Sequence, residues 1–205
     1  MKKIDLKAKL APYYKQRRGV ISELKVPPFN FLMVDGTGNP NTTPAFTEAI
    51  EVLYSLSYTL KFMLKMDKKL FDYPAMGLEG LWWAKDMGAL RLGDKDSWEW
   101  TAMILQPDFI TPEIYREAVE KVKQKKTLAA MGRERLERFE EGLCVQTLHI
   151  GPYNTEGPTI EALHQYIHEH GYELRGKHHE IYFGDPRRGN PQNLKTIIRQ
   201  PIQKH

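Results

Sequence analysis

Hydrophobic and polar positions divide most of the chain into two blocks with the same order of elements: strand, helix, strand, strand. In the first block, the apolar run 31–34 ends at the turn 35–38, as a strand does where it leaves a sheet. A helix is predicted after Thr43, with Pro44 at its first position and apolar residues at helical spacing through Lys65. Strands at 77–83 and 98–105 complete this block, with Gly93 and Asp94 in the connection between them.

The second block repeats the order. Residues 143–150 form the predicted strand, and Gly151 and Pro152 form its turn. A helix then runs from about Thr155 or Pro158 to His170, where Gly171 is placed to end it in a left-handed conformation. The last two strands are predicted at 179–183 and 194–201, joined by the polar segment 184–191.

A charged segment links the two blocks. Thr111 and Pro112 open one predicted helix. A second helix, carrying Leu136 and Phe139, is predicted to close at Gly142. These helices are expected on one face of a sheet.

Neither block can bury its apolar face alone, so the two are expected to pair. The predicted fold class is α+β: tandem duplicated strand–helix–strand–strand units form a sheet with helices on one face and a central ligand cleft. The predicted boundaries are a single domain over 1–205, a first repeat at 28–106, a helical bridge at 107–142 and a second repeat at 143–203.

Composition narrows the class of protein. Of the 205 residues, 41% are hydrophobic and 27% are charged, as in ordinary globular proteins. No stretch approaches the roughly 20 apolar residues of a membrane helix, and the charged N-terminus does not resemble a secretory signal. Cys144 is the only cysteine, and its apolar neighbours favour a packing role. The net charge is +4, and the basic residues do not form a continuous basic stripe. We therefore expect a cytoplasmic protein with no membrane and no specific nucleic-acid partner.

Glu180 is the strongest candidate for a functional residue, because a charge in the middle of an apolar strand is costly unless it is paired or used. Strand alternation places Glu180 and Tyr182 on one face. Superposing the blocks puts Gly80 opposite Glu180 and Trp82 opposite Tyr182. Tyr153 follows the preceding strand, and aromatic faces of this kind hold flat or cationic ligands. The alternatives are a solvated or salt-bridged Glu180 and aromatic residues that only fill the core.

Metal and nucleotide sites are not expected. His164 and His168 have the i, i+4 spacing of metal ligands on a helix, but no third ligand stands at a convincing spacing. Residues 35–39 lack the glycine spacing and the lysine of a phosphate loop. No cofactor is predicted.

Several motifs, in their order and spacing, resemble the GyrI-like small-molecule-binding superfamily, in its stand-alone branch. They are Glu140-Glu141-Gly142-Leu143, His149-Ile150-Gly151-Pro152-Tyr153, His179-Glu180-Ile181-Tyr182, Asp185-Pro186-Arg187-Arg188 and residues 194–201, with Leu53-Tyr54-Ser55-Leu56 and Glu79-Gly80-Leu81-Trp82-Trp83 in the first block.

The resemblance implies a cleft along a pseudo-twofold axis, in which Glu180 is the cleft glutamate and Trp82 with Trp83 form an aromatic wall. Members of the superfamily include effector-binding domains of transcription regulators, a gyrase inhibitor, and hydrolases that open cyclopropane rings of DNA-alkylating natural products. No helix-turn-helix is expected before the domain here, which argues against a transcription factor.

Two functions remain open at the level of sequence. The first is binding of a small amphipathic or cationic molecule by Glu180, Trp82, Tyr182 and Tyr153. The second is hydrolysis of a strained, electrophilic toxin, with Glu180 as the general base and Tyr182 as a second catalytic residue. The ligand, the oligomeric state and any protein partner such as gyrase are not determined by the sequence.

Overall fold

The computed structural model describes residues 1–85, 95–184 and 189–204. The fold is α+β, as predicted, and most of its strand pairs are antiparallel. The chain forms two compact units. Unit 1 comprises Met1–Lys9, Phe29–Met76 and Trp83–Phe139, and unit 2 comprises Leu10–Pro28, Gly77–Trp82 and Glu140–His205. Two predicted features, the connection at Gly93 and Asp94 and the motif 185–188, lie outside the described residues.

Unit 1 is built on a three-stranded antiparallel sheet with two helices packed beside it. The sheet order is β6–β3–β7, and helix α3 contacts strands β3 and β6 and helix α4. The elements of this unit are β1 (Lys2–Lys3), α1 (Leu6–Lys9), β3 (Phe29–Thr37), α3 (Pro44–Phe62), a π-helical segment (Met63–Asp67), β4 (Phe71–Asp72), a short 3₁₀ turn (Lys95–Ser97), β6 (Glu99–Gln106), α4 (Pro112–Lys125) and β7 (Glu134–Phe139).

The two long helices of unit 1, α3 and α4, begin where the sequence indicates. Proline stands at the first position of each, where its missing N–H is not needed. Thr111 caps α4 by accepting a hydrogen bond from the backbone N–H of Ile114. Thr43 occupies the corresponding position of α3 in an extended conformation but makes no side-chain cap bond. The buried face of α3 includes Leu53 and Leu60, which the helical periodicity predicts, and Leu56.

Unit 2 is built on a five-stranded antiparallel sheet in the order β2–β8–β11–β10–β5, with a short sixth strand, β9, beside the end of β11. Its elements are α2 (Ala11–Tyr14), β2 (Ser22–Val26), β5 (Glu79–Trp83, of which residues 79–82 belong to this unit), β8 (Gly142–Ile150), a 3₁₀ turn (Tyr153–Thr155), α5 (Gly157–Glu169), β9 (Tyr172–Leu174), β10 (His178–Phe183), a second 3₁₀ turn (Pro191–Asn193) and β11 (Lys195–Lys204).

Helix α5 lies on the sheet of unit 2 and builds its core. Leu163 and Ile167 of this helix pack against Val145, Ile198 and Ile202 of strands β8 and β11. Gly171 follows the helix at φ +71°, the left-handed conformation predicted for it. The helix therefore covers one face of the sheet next to β10, the strand that carries Glu180.

The prediction of a second helix in the bridge is wrong. Residues 134–139 form strand β7, which pairs with β3 along its whole length. Leu136 and Phe139 are three residues apart, a spacing that suits one face of a helix, but here they lie opposite Leu32 and Phe29. Without β7, this edge of β3 would have unpaired backbone N–H and C=O groups. Residues 134–139 form a strand because a strand satisfies these groups with a ladder of hydrogen bonds, which a helix does not.

Strands β2, β4 and β9 and the short elements before residue 20 are absent from the sequence prediction. Among the described residues, no helix has the length and hydropathy needed to cross a membrane. The single-domain boundaries and the repeat boundaries stay a prediction.

Candidate functional site

Strand β10 presents Glu180 beside Tyr182 and His178, which lie within hydrogen-bonding distance of its carboxylate. The Tyr182 hydroxyl donates to Glu180 Oε2 at 2.6 Å, and His178 Nε2 lies 3.1 Å from Glu180 Oε1. The three residues alternate along the strand and so share one face. The Glu180 side chain is 13% exposed. The carboxylate is thus held in one orientation while it keeps a narrow opening to solvent.

Trp82 reaches the same site from the neighbouring strand. Strand β5 pairs with β10 so that Gly80 lies opposite Glu180 and Trp82 opposite His178. The indole N–H of Trp82 donates to the Tyr182 hydroxyl at 3.1 Å, which continues the chain of donors from Trp82 through Tyr182 to Glu180. A Cβ atom at Gly80 would lie 2.7 Å from the indole nitrogen. Glycine is therefore required for the indole to lie along the sheet at this position.

Tyr153 covers Tyr182 from the turn before α5. The two ring centroids are 5.3 Å apart at an interplanar angle of 64°, an edge-to-face contact. His149 holds this turn, because its ring nitrogens lie 3.0 Å from Thr159 Oγ1 and 3.2 Å from Thr155 Oγ1. The four residues predicted to form the site, Glu180, Tyr182, Trp82 and Tyr153, are therefore brought together by the fold. Whether they bind a ligand stays a prediction.

The site is acidic. Glu156, at the N-terminus of α5, is buried and acts electrostatically on Tyr182. Burial, the charge of Glu180 and the charge of Glu156 together raise the pKa of Tyr182 well above its ordinary value. The phenol is therefore protonated throughout the physiological range, and its proton is directed at Glu180.

The opposite face of β10 carries a buried charged network centred on His179. Its Nδ1 lies 2.8 Å from Glu141 Oε1 and its Nε2 lies 3.0 Å from Glu79 Oε2. Arg199 donates to the other oxygen of Glu141 at 2.6 Å and to Gln146 Oε1 at 3.0 Å. These charged side chains are almost completely buried, so each charge depends on the others for its partner.

The pKa shifts in the network follow from these pairs. Burial alone would raise the pKa of Glu141, but His179 and Arg199 outweigh it and lower this pKa to about 2. Burial alone would lower the pKa of His179, but Glu141 and Glu79 outweigh it and raise this pKa. The two carboxylates therefore favour the imidazolium form of His179, whose positive charge, with that of Arg199, offsets theirs.

The N-terminal segment of unit 2 closes the network. The Tyr14 hydroxyl donates to Glu79 Oε1 at 2.8 Å, and Arg199 also donates to the carbonyl oxygen of Tyr13 at 2.5 Å. The network thus joins α2 to strands β5, β8, β10 and β11 and fixes the strand that presents Glu180.

The sequence reasoning missed several residues of this region: His178 and Glu156 beside the predicted site, and Glu79, Glu141, His179 and Arg199 behind it. Glu79 and Arg199 carried the same signal as Glu180, a charge within an apolar strand. His178 and Glu156 carried no comparable signal, because their positions depend on contacts made by the folded chain.

Two other predictions concern single residues or metal ligands. Cys144 is buried, as expected, and burial raises the pKa of its thiol to about 12, so the thiol stays protonated. Within the residues that the structure describes, no three histidine, cysteine or acidic side chains form a group that could hold a metal ion.

Comparison with known proteins places the chain in a family. The GyrI-like small molecule binding domain matches residues 20–203. The chain belongs to this GyrI-like family. No curated protein matches this GyrI-like chain.

Solved structures extend the comparison. An uncharacterized conserved protein from Listeria innocua is 38% identical, with a TM-score of 0.90 over 98% of this chain and 100% of its own. A hydrolase from Listeria innocua is 39% identical over the same shares, with a TM-score of 0.87. The C-terminal domain of EcmrR shares the fold at 12% identity, with a TM-score of 0.56 over 91% of this GyrI-like chain and 98% of that domain.

Proposed function

We propose that this GyrI-like domain binds a flat organic cation at Glu180. The observation that carries the proposal is the carboxylate itself, which is 13% exposed and oriented by Tyr182 and His178. A carboxylate in such a site has lost most of its water, so a ligand cation gains more from it than from an exposed one. The second buried carboxylate, Glu156, adds negative charge around Tyr182 and favours a cation further.

The aromatic residues have different roles in this proposal. Tyr153 is half-buried and offers part of its ring to a flat ligand. Trp82 is only 4% exposed, and its indole N–H is bonded to Tyr182. Trp82 would therefore act mainly by fixing Tyr182, and through it the Glu180 carboxylate.

The test compares a charged and an uncharged flat ligand. Proflavine, a cation at neutral pH, and acridine, its uncharged relative, are titrated at pH 8 and followed by ligand fluorescence. Glu180→Gln keeps the size of the side chain but removes its charge. It is expected to weaken proflavine binding at least tenfold, since a hydrogen bond to a charged group contributes about 1.5–3 kcal/mol. Acridine binding should change by less than about threefold.

Glu161→Gln is the matched control, because Glu161 is an exposed carboxylate on α5 of the same unit. It should leave both titrations unchanged. Equal weakening by Glu161→Gln and Glu180→Gln would mean that proflavine responds to net charge, and the proposed site would be abandoned.

A second candidate function is hydrolysis, which is favoured by the likeness to a Listeria innocua hydrolase at 39% identity over nearly the full length of both chains. The substrate class is a cyclopropane conjugated to a dienone. Water would form a bond to a ring carbon as a ring C–C bond breaks, and the released electron pair would move to the carbonyl oxygen to give a phenolate. Glu180 would accept a proton from the attacking water. The phenolate would then take up this proton, which returns Glu180 to the carboxylate form.

Tyr182 fits this reaction as the residue that positions Glu180, because its proton is already donated to that carboxylate. Tyr153 is the phenol nearer to an incoming ligand and could donate to the developing phenolate. Incubation with a cyclopropane-bearing alkylator, followed by mass spectrometry of the ring-opened product, tests the idea. Acceleration that Glu180→Gln removes, with substrate binding retained, supports hydrolysis; no acceleration over buffer leaves cation binding as the function.

A further inference from the structure

A row of exposed apolar side chains runs along the outer face of α3 and the π-helical segment in unit 1. Tyr58, Phe62 and Met66 are 47%, 51% and 62% exposed. The rings of Tyr54, Tyr58 and Phe62 are stacked in sequence, with centroids 6.3 Å and 6.2 Å apart. From Tyr54 to Met66 the row spans about 18 Å at the rise of a helix. Contiguous exposed apolar surface of this kind marks an interaction site.

A groove of about 370 Å³ lies beside this row, between α3 and α4. Its far wall carries Lys121, Lys125 and Lys126. Lys121 is paired with Asp67 at 2.6 Å, and Lys126 Nζ lies 3.4 Å from Ser55 Oγ. The groove is partly open to solvent, which suits the side chains of a second helix better than an enclosed small molecule.

Two opposite charges, one on α3 and one on the π-helical segment, flank Tyr58 at equal separations along the chain. Glu51 precedes Tyr58 by seven residues and Lys65 follows it by seven, while Tyr54 precedes and Phe62 follows it by four. Seven residues are close to two turns of an α-helix, so Glu51 and Tyr58 lie on one face of α3. Lys65 follows on the π-helical segment, where its side chain is 33% exposed. If a second copy of the helix runs in the opposite direction, with the two Tyr58 residues facing each other, Glu51 lies opposite Lys65 and Tyr54 lies opposite Phe62.

We infer that a second copy of this chain binds here, with the two α3 helices antiparallel and Tyr58 on the twofold axis. In that arrangement Lys65 meets Glu51 of the partner subunit, and the reverse pair forms by symmetry. Tyr54 packs on the partner subunit's Phe62. Lys65 also lies 2.9 Å from Asp72 of its own chain, so it would bridge two carboxylates. A different partner would not require this reciprocity of charge and ring about one residue.

Sedimentation velocity over a concentration series tests the interface directly. The chain has a mass of 23.9 kDa, and the main sedimenting species should have twice that mass. Tyr58→Glu places two carboxylates together on the axis and should raise the dissociation constant at least about 30-fold, as loss of a central aromatic contact does. Val20→Glu is the control, because Val20 is 44% exposed and lies outside the row. It should remain dimeric.

Charge reversal tests the antiparallel register. Glu51→Lys and Lys65→Glu should each weaken the dimer, and the double variant should recover it, because opposite charges again face each other across the axis. The thermal midpoint is measured in parallel, since Lys65→Glu also removes the pair with Asp72 inside one chain. If the double variant stays monomeric and the thermal midpoint of Lys65→Glu falls, the loss of the dimer would come from destabilisation of the single chain, and the antiparallel register would be wrong. A monomer at 100 µM, or a dimer that Tyr58→Glu leaves intact, would overturn the interface.

Discussion

Glu141→Gln is the sharpest test of how the site is supported. Glu141 accepts hydrogen bonds from His179 and Arg199 in a region almost closed to water. Glutamine keeps the shape of the side chain but removes the charge that both cations need. We expect a large loss of stability, because breaking a buried ion pair leaves the remaining charges without compensation.

The magnitude follows from the pKa of Glu141. Its fall from the ordinary 4.5 to about 2 corresponds to about 3 kcal/mol of extra stability for the folded charged form, at about 1.4 kcal/mol for each pKa unit. Because this pKa is lowered on folding, the contribution is present above pH 4.5 and is lost as the pH falls towards 2. The variant should therefore be less stable by about 3 kcal/mol at pH 6.

Urea denaturation followed by circular dichroism, between pH 3 and pH 8, measures both effects. The difference between wild type and variant should shrink as the pH falls from 4.5 towards 3. Glu140→Gln is the matched control, because the neighbouring Glu140 is exposed, and it should change stability by less than about 0.5 kcal/mol. A loss below about 1 kcal/mol for Glu141→Gln at pH 6 would contradict the proposed dependence of the network on this charge.

Other expectations can be checked with the same protein. Gly80→Ala forces the indole of Trp82 aside and should cost about 1–3 kcal/mol in urea denaturation while weakening proflavine binding; Gly157→Ala, where an added Cβ meets nothing within 4 Å, should cost neither stability nor binding. Trp82→Phe should remove more than half of the quenching of indole fluorescence by proflavine, whereas Trp98→Phe should retain it. Equal loss in both tryptophan variants would show that the signal does not come from the site. His179, whose pKa is raised on folding, should contribute stability below pH 6.5 that is lost as the pH rises through its folded pKa, visible as a second slope in urea denaturation that His179→Gln abolishes.

Local pattern determined much of unit 2 in advance. The strand containing Glu180, the helix before it and the left-handed Gly171 all follow from periodicity and capping, which depend on residues only a few positions apart. Alternation along a strand also sufficed to put Glu180 and Tyr182 on one face, where the structure shows them hydrogen-bonded.

The sequence by itself therefore determined the order of most elements, the α+β class and the group of residues around Glu180. Only the tertiary structure decided what those residues touch. His179 meets Glu79 and Glu141, which lie 100 and 38 residues away in the chain, and no local spacing encodes those contacts. Residues 134–139 became a strand for the same reason: the free edge of β3 offered hydrogen bonds that outweighed a helical spacing of two apolar residues. The free energy of pairing between two distant segments depends on the contacts that both segments make in the folded chain. The hydrophobic pattern within one segment is therefore not sufficient to predict it.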